Sequence, residues 1–241
     1  MNLKGKIYQK MLDDYRDGSA SVAALIDPDK QSYKILIDRV KKVNLSNAEY
    51  IFVGGSQLYS SIDECVSVIK DYSSKPVILF PGHHSHISEK ADAILILSLI
   101  SGRNPEYLIG QHVLAAPILY ESGLEIISTG YILIDGGSIT SVQKVSNTTP
   151  LSQDFVEEIV ATSIAGEMLG NKLVYLEAGS GASNCVSNNI VRQVRQKIKC
   201  PLIVGGGLRT KADFLDKIAA GANIIVVGNA LETNPELINE I

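Results

Sequence analysis

The chain has 241 residues, of which 45% are apolar and 20% charged, and a formal net charge of −4. That balance supplies a sizeable core and argues against disorder, while the acidic total lacks the basic face that nucleic-acid recognition normally shows. It leaves open an anionic small ligand, which a few backbone amides and a metal ion can hold inside an acidic protein.

Charge is mixed through residues 1–18, where a secretory segment would sit, and no run approaches the ~20 apolar residues of a membrane span. A soluble, cytoplasmic protein is expected, folded as one domain over 1–241. The cysteines, Cys65, Cys185 and Cys200, are scattered and odd in number, so they support neither a disulfide framework nor a zinc ribbon.

In chain order, the first apolar, β-branched run covers 21–27 and ends in LIDPDK, with a helix expected over 31–43. Asp27 and Asp29 offer hard oxygens, and magnesium is usually held by one or two carboxylates that leave positions for water and phosphate oxygens. The same Asp-Pro-Asp is equally a turn, with Asp27 as a helix cap. A second run, 49–56, brings the Ser56 hydroxyl to the end of a neighbouring strand before a helix over 60–71. Runs three and four, 76–82 and 93–101, are separated by only HHSHISEKAD. A parallel crossover normally needs a dozen or more residues, so one unit is degenerate here.

His83, His84 and His86 invite a zinc site, yet no cysteine or further histidine lies at ligand spacing; the other reading is a loop at a pocket mouth that hydrogen-bonds a polar substrate. The stretch 101–112 reads as a long loop feeding a helix over 105–121, and such loops often carry function. Arg103 within it either faces an anionic ligand or is solvated. Four further runs follow, 127–135, 172–181, 201–207 and 223–229, with helices expected over 153–169, 184–199 and 210–219.

Near-continuous apolar runs alternating with helices are what parallel strands covered on both faces show. No G-x-G-x-x-G follows the first strand, where a dinucleotide fold would carry it; the glycines concentrate after the last three strands. We therefore expect an α/β fold, a single (β/α)8 TIM-type barrel with one degenerate unit after the third strand, the alternative being an open doubly wound sheet. Barrels often build a phosphate site from the loops after strands seven and eight. Gly206, Gly207, Gly228 and Asn229 would supply its amides, unless these glycines merely serve tight turns and close packing. Gly179, Ser180 and Gly181 add a third loop on the same side. Glu177 stands at a strand end, where a carboxylate can act as general base, or else it pairs with a surface lysine.

Five motifs in register, LIDPDK, IFVGGS, YLEAGSGA, IVGGGLR and VVGNAL, give the chain from about Ala23 to Leu231 a resemblance to the geranylgeranylglyceryl phosphate synthase family, which includes the bacterial heptaprenylglyceryl phosphate synthases. The resemblance implies a barrel prenyltransferase that joins the 3-hydroxyl of sn-glycerol 1-phosphate to a polyprenyl group from its diphosphate, releasing diphosphate and forming an ether-lipid precursor. It implies a Mg2+ cofactor bound by Asp27 and Ser56, and glycerol phosphate lying along Tyr175, Leu176, Glu177, Ala178, Gly179, Ser180 and Gly181. The phosphate would be held by Gly206, Gly207, Gly228 and Asn229, with Glu177 as the base, in a homo-oligomer, dimer or hexamer.

Family members often carry Thr where Ser56 stands, and both offer a hydroxyl. The stretch ISTGYILIDGGS and the loop with Arg103 resemble the subgroup shared by some archaea and certain bacteria, which favours a geranylgeranyl donor. The aliphatic residues of ILILSLI and YLIGQHVLAAPIL would line a groove for the tail, or are ordinary core. Two other readings remain: a phosphate-binding isomerase or aldolase, the latter wanting a Schiff-base lysine at a strand end, and a catalytically silent barrel that binds a phosphorylated ligand.

Overall fold

Alternate residues of a strand face opposite sides of its sheet, and in this chain both sides are apolar, so each strand needs two partners. The computed structural model, which describes residues 5–30, 32–55, 58–234 and 237–238, meets that need with a closed barrel of eight parallel strands. These are β1 (Ser21–Ile26), β2 (Tyr50–Val53), β3 (Val77–Leu79), β4 (Ala93–Leu99), β5 (Glu125–Leu133), β6 (Leu173–Glu177), β7 (Leu202–Gly205) and β8 (Ile224–Val227), with β8 pairing back onto β1. Tyr50, Phe52, Ile78, Leu95, Tyr175 and Val226 point inward and fill the barrel. Their neighbours Ile51, Val53, Leu79, Ile94, Leu176 and Val227 point outward into the layer under the helices. Each such side chain contributes ~1.5–3 kcal/mol by leaving water; the pairing of β8 with β1 closes the sheet and rules out the open doubly wound arrangement.

The helices are α1 (Lys6–Arg16), α2 (Tyr33–Leu45), α3 (Ile62–Tyr72), α4 (Gln111–Glu121), α5 (Ser141–Ser146), α6 (Val156–Met168), α7 (Asn188–Arg195), α8 (Lys211–Ala220) and α9 (Asn229–Thr233). One π-helical turn, Glu106–Gly110, leads into α4. Helix α8 begins where the sequence places it, because the Thr210 side chain and the Asp213 side chain cap each other's backbone N–H groups. Helix α7 begins later than the expected 184: its cap is Ser187, whose hydroxyl accepts from Ile190 N, while Asn184 is used to bind the Gly136 carbonyl at 2.9 Å.

Helix α1 was not among the expected elements. It inserts Ile7 and Met11, one turn apart, into the barrel's interior cluster. The backbone amides of Ile7 and Tyr8 donate to the Glu125 carboxylate at 3.0 and 2.8 Å, so an acid at the amino end of β5 caps the helix that plugs that end of the barrel.

Residues 80–92, between β3 and β4, contain no helix, as the short spacer implies. Side chains tie this loop to α3 instead: Ser88 Oγ donates to Asp63 at 2.6 Å, and Lys90 pairs with Asp63 at 2.5 Å. The missing helix leaves Ile96, on the outer face of β4, only partly covered between α3 and α4, while Ile94 stays buried. Among the described residues the cysteines are unbridged, with Cys65 and Cys200 buried, and no helix is long and apolar enough to cross a membrane.

Candidate active site

The carboxyl ends of the strands open into a cavity of about 710 Å³ whose wall draws on nearly every β/α unit. One end is polar and glycine-rich. Gly179, Ser180, Gly181, Gly206, Gly207, Gly228 and Asn229 all line it, along with Tyr175 and Glu177. Leu176 and Ala178 do not: they are fully buried, in the layer between barrel and helices, and only their backbone belongs to this loop. Among the described residues, the amides of Gly206, Gly207 and Gly228 donate to no protein acceptor, which leaves them available to an anion.

Glu177 ends β6 in register between Leu133 of β5 and Gly205 of β7. Only 6% exposed, it is not the surface ion pair that the sequence also allowed. Its Oε1 accepts the Gly179 N–H at 2.7 Å. Burial raises its pKa above the ordinary carboxylate value, against the opposing pull of the nearby Tyr175 hydroxyl and that N–H. The Tyr175 hydroxyl is itself buried and makes no hydrogen bond of good geometry. Burial and the neighbouring Glu177 charge push the phenols of Tyr175 and Tyr131 well up, so both stay protonated. Phe80, Tyr131 and Tyr175 pack ring to ring at 5.2–5.9 Å beneath the carboxylate.

Across the mouth, Asp27 follows β1 and lines the same cavity. Its Oδ1 accepts the Asp29 N–H at 3.1 Å, and its Oδ2 lies 3.9 Å from Lys30 Nζ. Burial raises its pKa, ahead of the lowering exerted by that N–H and by Lys30. Asp29 plays a different part from the ligand role its sequence suggested. Its two oxygens accept the amides of Tyr59 and Ser60 at 2.8 and 2.7 Å and tether the β2–α3 loop. Partial burial raises its pKa, but the hydrogen bonds from Ser60 and Tyr59 outweigh that and hold it below the ordinary value.

Ser56 lies outside the described residues. Among the described residues no group of three or more His, Cys, Asp or Glu side chains could hold a metal ion, which sets aside zinc at the histidines. Asp27 nevertheless fits magnesium: it is a hard oxygen donor on the wall of the cavity that the Gly206, Gly207 and Gly228 loops also line, where water and phosphate oxygens would complete the coordination.

The other end of the cavity is apolar and runs into the gap left by the missing helix. Ile87, Ile94, Ile96, Leu97, Ala115 and Leu119 line it, so residues of both ILILSLI and the α4 stretch form its wall. His83 and His84 stand at its rim, with rings 4.0 Å apart, and the Gln111 side chain binds the His84 backbone N–H at 2.8 Å. Arg103 is not in the wall; its guanidinium pairs with Glu158 at 3.4 Å on the surface. Sequence reasoning passed over Lys30, which faces the polar end, and the aromatic floor of Phe80 and Tyr131.

Fold and site together define a (β/α)8 barrel whose cavity runs from a glycine-rich, polar end to an apolar arm. The chain belongs to the PcrB family, whose model matches residues 19–241. It is 48% identical over 240 residues to the geranylgeranylglyceryl phosphate synthase of Chitinophaga pinensis, covering 99% of this chain and 95% of that one. The protein of the same name from Flavobacterium johnsoniae is 46% identical over 229 residues, covering 95% and 94%. Among solved structures, the (S)-3-O-geranylgeranylglyceryl phosphate synthase of Thermoplasma acidophilum, in complex with its substrate sn-glycerol 1-phosphate, superposes with a TM-score of 0.91 at 34% identity, covering 98% and 96%.

Proposed function

We propose that the chain is a prenyltransferase that joins the 3-hydroxyl of sn-glycerol 1-phosphate to a polyprenyl group, geranylgeranyl for preference, and releases diphosphate. The observation that carries this reading is one continuous cavity holding a glycine-rich anion end, a buried carboxylate and an apolar arm. An isomerase of small sugar phosphates would have no use for the arm. The family and the glycerol-phosphate complex of the Thermoplasma relative support the same reading.

In this mechanism the amides of Gly206, Gly207 and Gly228 bind the phosphate and bring the 3-hydroxyl to Glu177. Holding reactants at attack distance converts a bimolecular step into an effectively unimolecular one. The Glu177 carboxylate takes the hydroxyl proton as the new C–O bond forms at the allylic carbon and the bond to diphosphate breaks. Its raised pKa makes it a better base than an exposed glutamate, and the Gly179 N–H fixes its direction. The rings of Phe80, Tyr131 and Tyr175 keep water from the carbon that becomes cationic. Magnesium, held through Asp27 and the Ser56 hydroxyl, would neutralise the charge developing on the departing diphosphate. The reading extends to a homo-oligomer working in the cytoplasm.

Labelled sn-glycerol 1-phosphate incubated with the protein, magnesium and prenyl diphosphates from geranyl to heptaprenyl should yield an ether lipid phosphate. No product with any donor rejects the assignment, leaving the silent phospholigand-binding barrel.

A further inference from the structure

The anion end of the cavity is bordered by three carboxylates, Asp27, Glu177 and Glu232. A phosphate entering there would meet all of them, and backbone amides offset its charge only in part. Arg209 lies in the wall, but its guanidinium donates to the carbonyls of Ser183 and Ala182 at 3.2 and 2.7 Å. Lys144 stands in the wall on α5, in the β5–β6 connection. Lys30 comes from the loop after β1, and its ammonium reaches side chains of the loops after β6 and β8.

The distances around Lys30 Nζ run opposite to those of an ordinary ion pair. Its nearest partners are neutral: Asn229 Oδ1 at 2.9 Å and Ser180 Oγ at 3.3 Å. Its two carboxylate neighbours are farther, Glu232 at 3.5 Å and Asp27 at 3.9 Å. Charge-assisted N–H···O bonds close to about 2.7–2.9 Å where pairing is the purpose, as Lys70 does with Asp92 at 2.6 Å. The Ser180 hydroxyl also donates to Asn229 Oδ1 at 3.1 Å, so ammonium, hydroxyl and amide form one triangle across the loops after β1, β6 and β8. Carboxylates on either side hold the charge over the mouth without capturing it, and neutral groups aim it into the cavity.

We propose that Lys30 is the charge-neutralising ligand of the glycerol phosphate, with Ser180 and Asn229 holding its ammonium where a phosphate oxygen arrives. This deepens the proposed function and rests on it. Its contacts lie on Ser180 and Asn229, in the loops read as the glycerol phosphate site, and this assigns the ammonium to the glycerol phosphate and not to the diphosphate.

Calorimetric titration of the full chain with sn-glycerol 1-phosphate alone, without prenyl donor, tests this. Lys30→Met should weaken binding roughly 10- to 100-fold, the range of a hydrogen bond to a charged group, and flatten its dependence on salt. Lys30→Arg should restore most of the affinity. Lys34→Ala, the same charge change on the exposed start of α2, should bind as the unaltered chain does. Lys30→Gln, which can still donate to Asn229, replaces the Met variant if that does not fold. Affinity within twofold of the unaltered chain in Lys30→Met overturns the inference, and so does an equal loss in the Met and Arg variants, which would mean that Lys30 only shapes the loops. An unaltered chain that binds no glycerol phosphate overturns the functional reading instead, and this inference falls with it.

Discussion

Gly206 and Glu177 share one small volume: a Cβ on Gly206 would collide with the Glu177 carboxylate and come within 2.6 Å of Gly179 N. Gly206 also has φ +81°, in the left-handed region. The three consecutive glycines at the end of β7, Gly205, Gly206 and Gly207, therefore have a nearer cause than a ligand. At Gly205 the crowding group is the Tyr175 hydroxyl, and at Gly207 the backbone of Asn184 and Cys185. The sequence offered amides for a phosphate or close packing as the reason for these glycines; a side chain at Gly206 would first occupy the place of the base and of the loop that orients it.

The structure thus separates two kinds of glycine. Gly206→Ala should cost at least ~1–3 kcal/mol in unfolding experiments, through strain at a positive φ and displacement of Glu177. At Gly228, φ is −119° and a Cβ would make only ordinary contact with Leu25, at 3.4 Å and beyond. Gly228→Ala should change stability by no more than ~1 kcal/mol yet weaken glycerol phosphate binding, since the space left free by the protein faces the ligand. Equal behaviour of the two variants in both assays would contradict this division.

Glu177→Gln should lower turnover by roughly 10²-fold, the scale of a general base, and leave glycerol phosphate affinity largely intact. It should also raise the melting temperature. Burial raises the folded-state pKa of this carboxyl above its unfolded value, so the native chain binds the extra proton and stability declines as pH climbs from the ordinary carboxylate range through the raised value. The amide carries no such cost, and its advantage should vanish below the ordinary range. A melting temperature unchanged at neutral pH would show that the carboxylate is better solvated than its burial implies.

His86 gives the opposite slope with pH. It is 8% exposed, its Nδ1 has no partner among the described residues, and burial, with His83 and His84 beside it and Asp29 opposing, pushes its pKa down to about 4. The unfolded chain takes up this proton near 6.5 and the folded chain only near 4, so stability should fall as pH drops across that window and then level off with respect to this group. Denaturant unfolding from pH 7 to 4 should show a shallower decline in His86→Gln; an identical decline would mean that His86 gains a proton without unfolding.

The frame of the barrel was legible in the sequence because each strand is apolar on both faces, as in any parallel sheet covered by helices, and because the glycines gather after the last strands and not after the first. Strand ends were read too long, since Gly54, Gly55, Gly206 and Gly207 continue the apolar runs but belong to loops. Helix α1 escaped notice because its charges are mixed and its purpose, plugging the barrel, exists only once the barrel does. Lys30 looked like a loop residue because its partners Ser180 and Asn229 lie 150 and 199 positions away. The degenerate unit was visible as a short spacer, but the spacer alone does not tell that Ile94 and Ile96 of β4 become part of a cavity wall.

Asp27→Asn should abolish whatever tightening of inorganic diphosphate binding magnesium brings to the unaltered chain, because the amide keeps the shape and removes the charge that a divalent ion needs. Titrations with and without the metal check this. A variant that keeps the full magnesium effect places the ion elsewhere.

The apolar arm yields the last prediction. Ala115, on α4, lines the cavity together with Ile94 and Ile96 of β4. Its methyl group leaves room that a larger side chain would take. Ala115→Phe should therefore block the deeper part of the arm: the specificity constant for a geranylgeranyl donor should fall at least ~10-fold relative to that for a geranyl donor, the scale of a few lost methylene contacts at ~0.8 kcal/mol each. Affinity for glycerol phosphate, bound at the polar end, should not move. If both donors lose equally, the arm ends before Ala115 and the tail takes another route; if neither changes, α4 shifts outward to admit the ring, which the exposed Val113 and Leu114 on its far side leave it free to do.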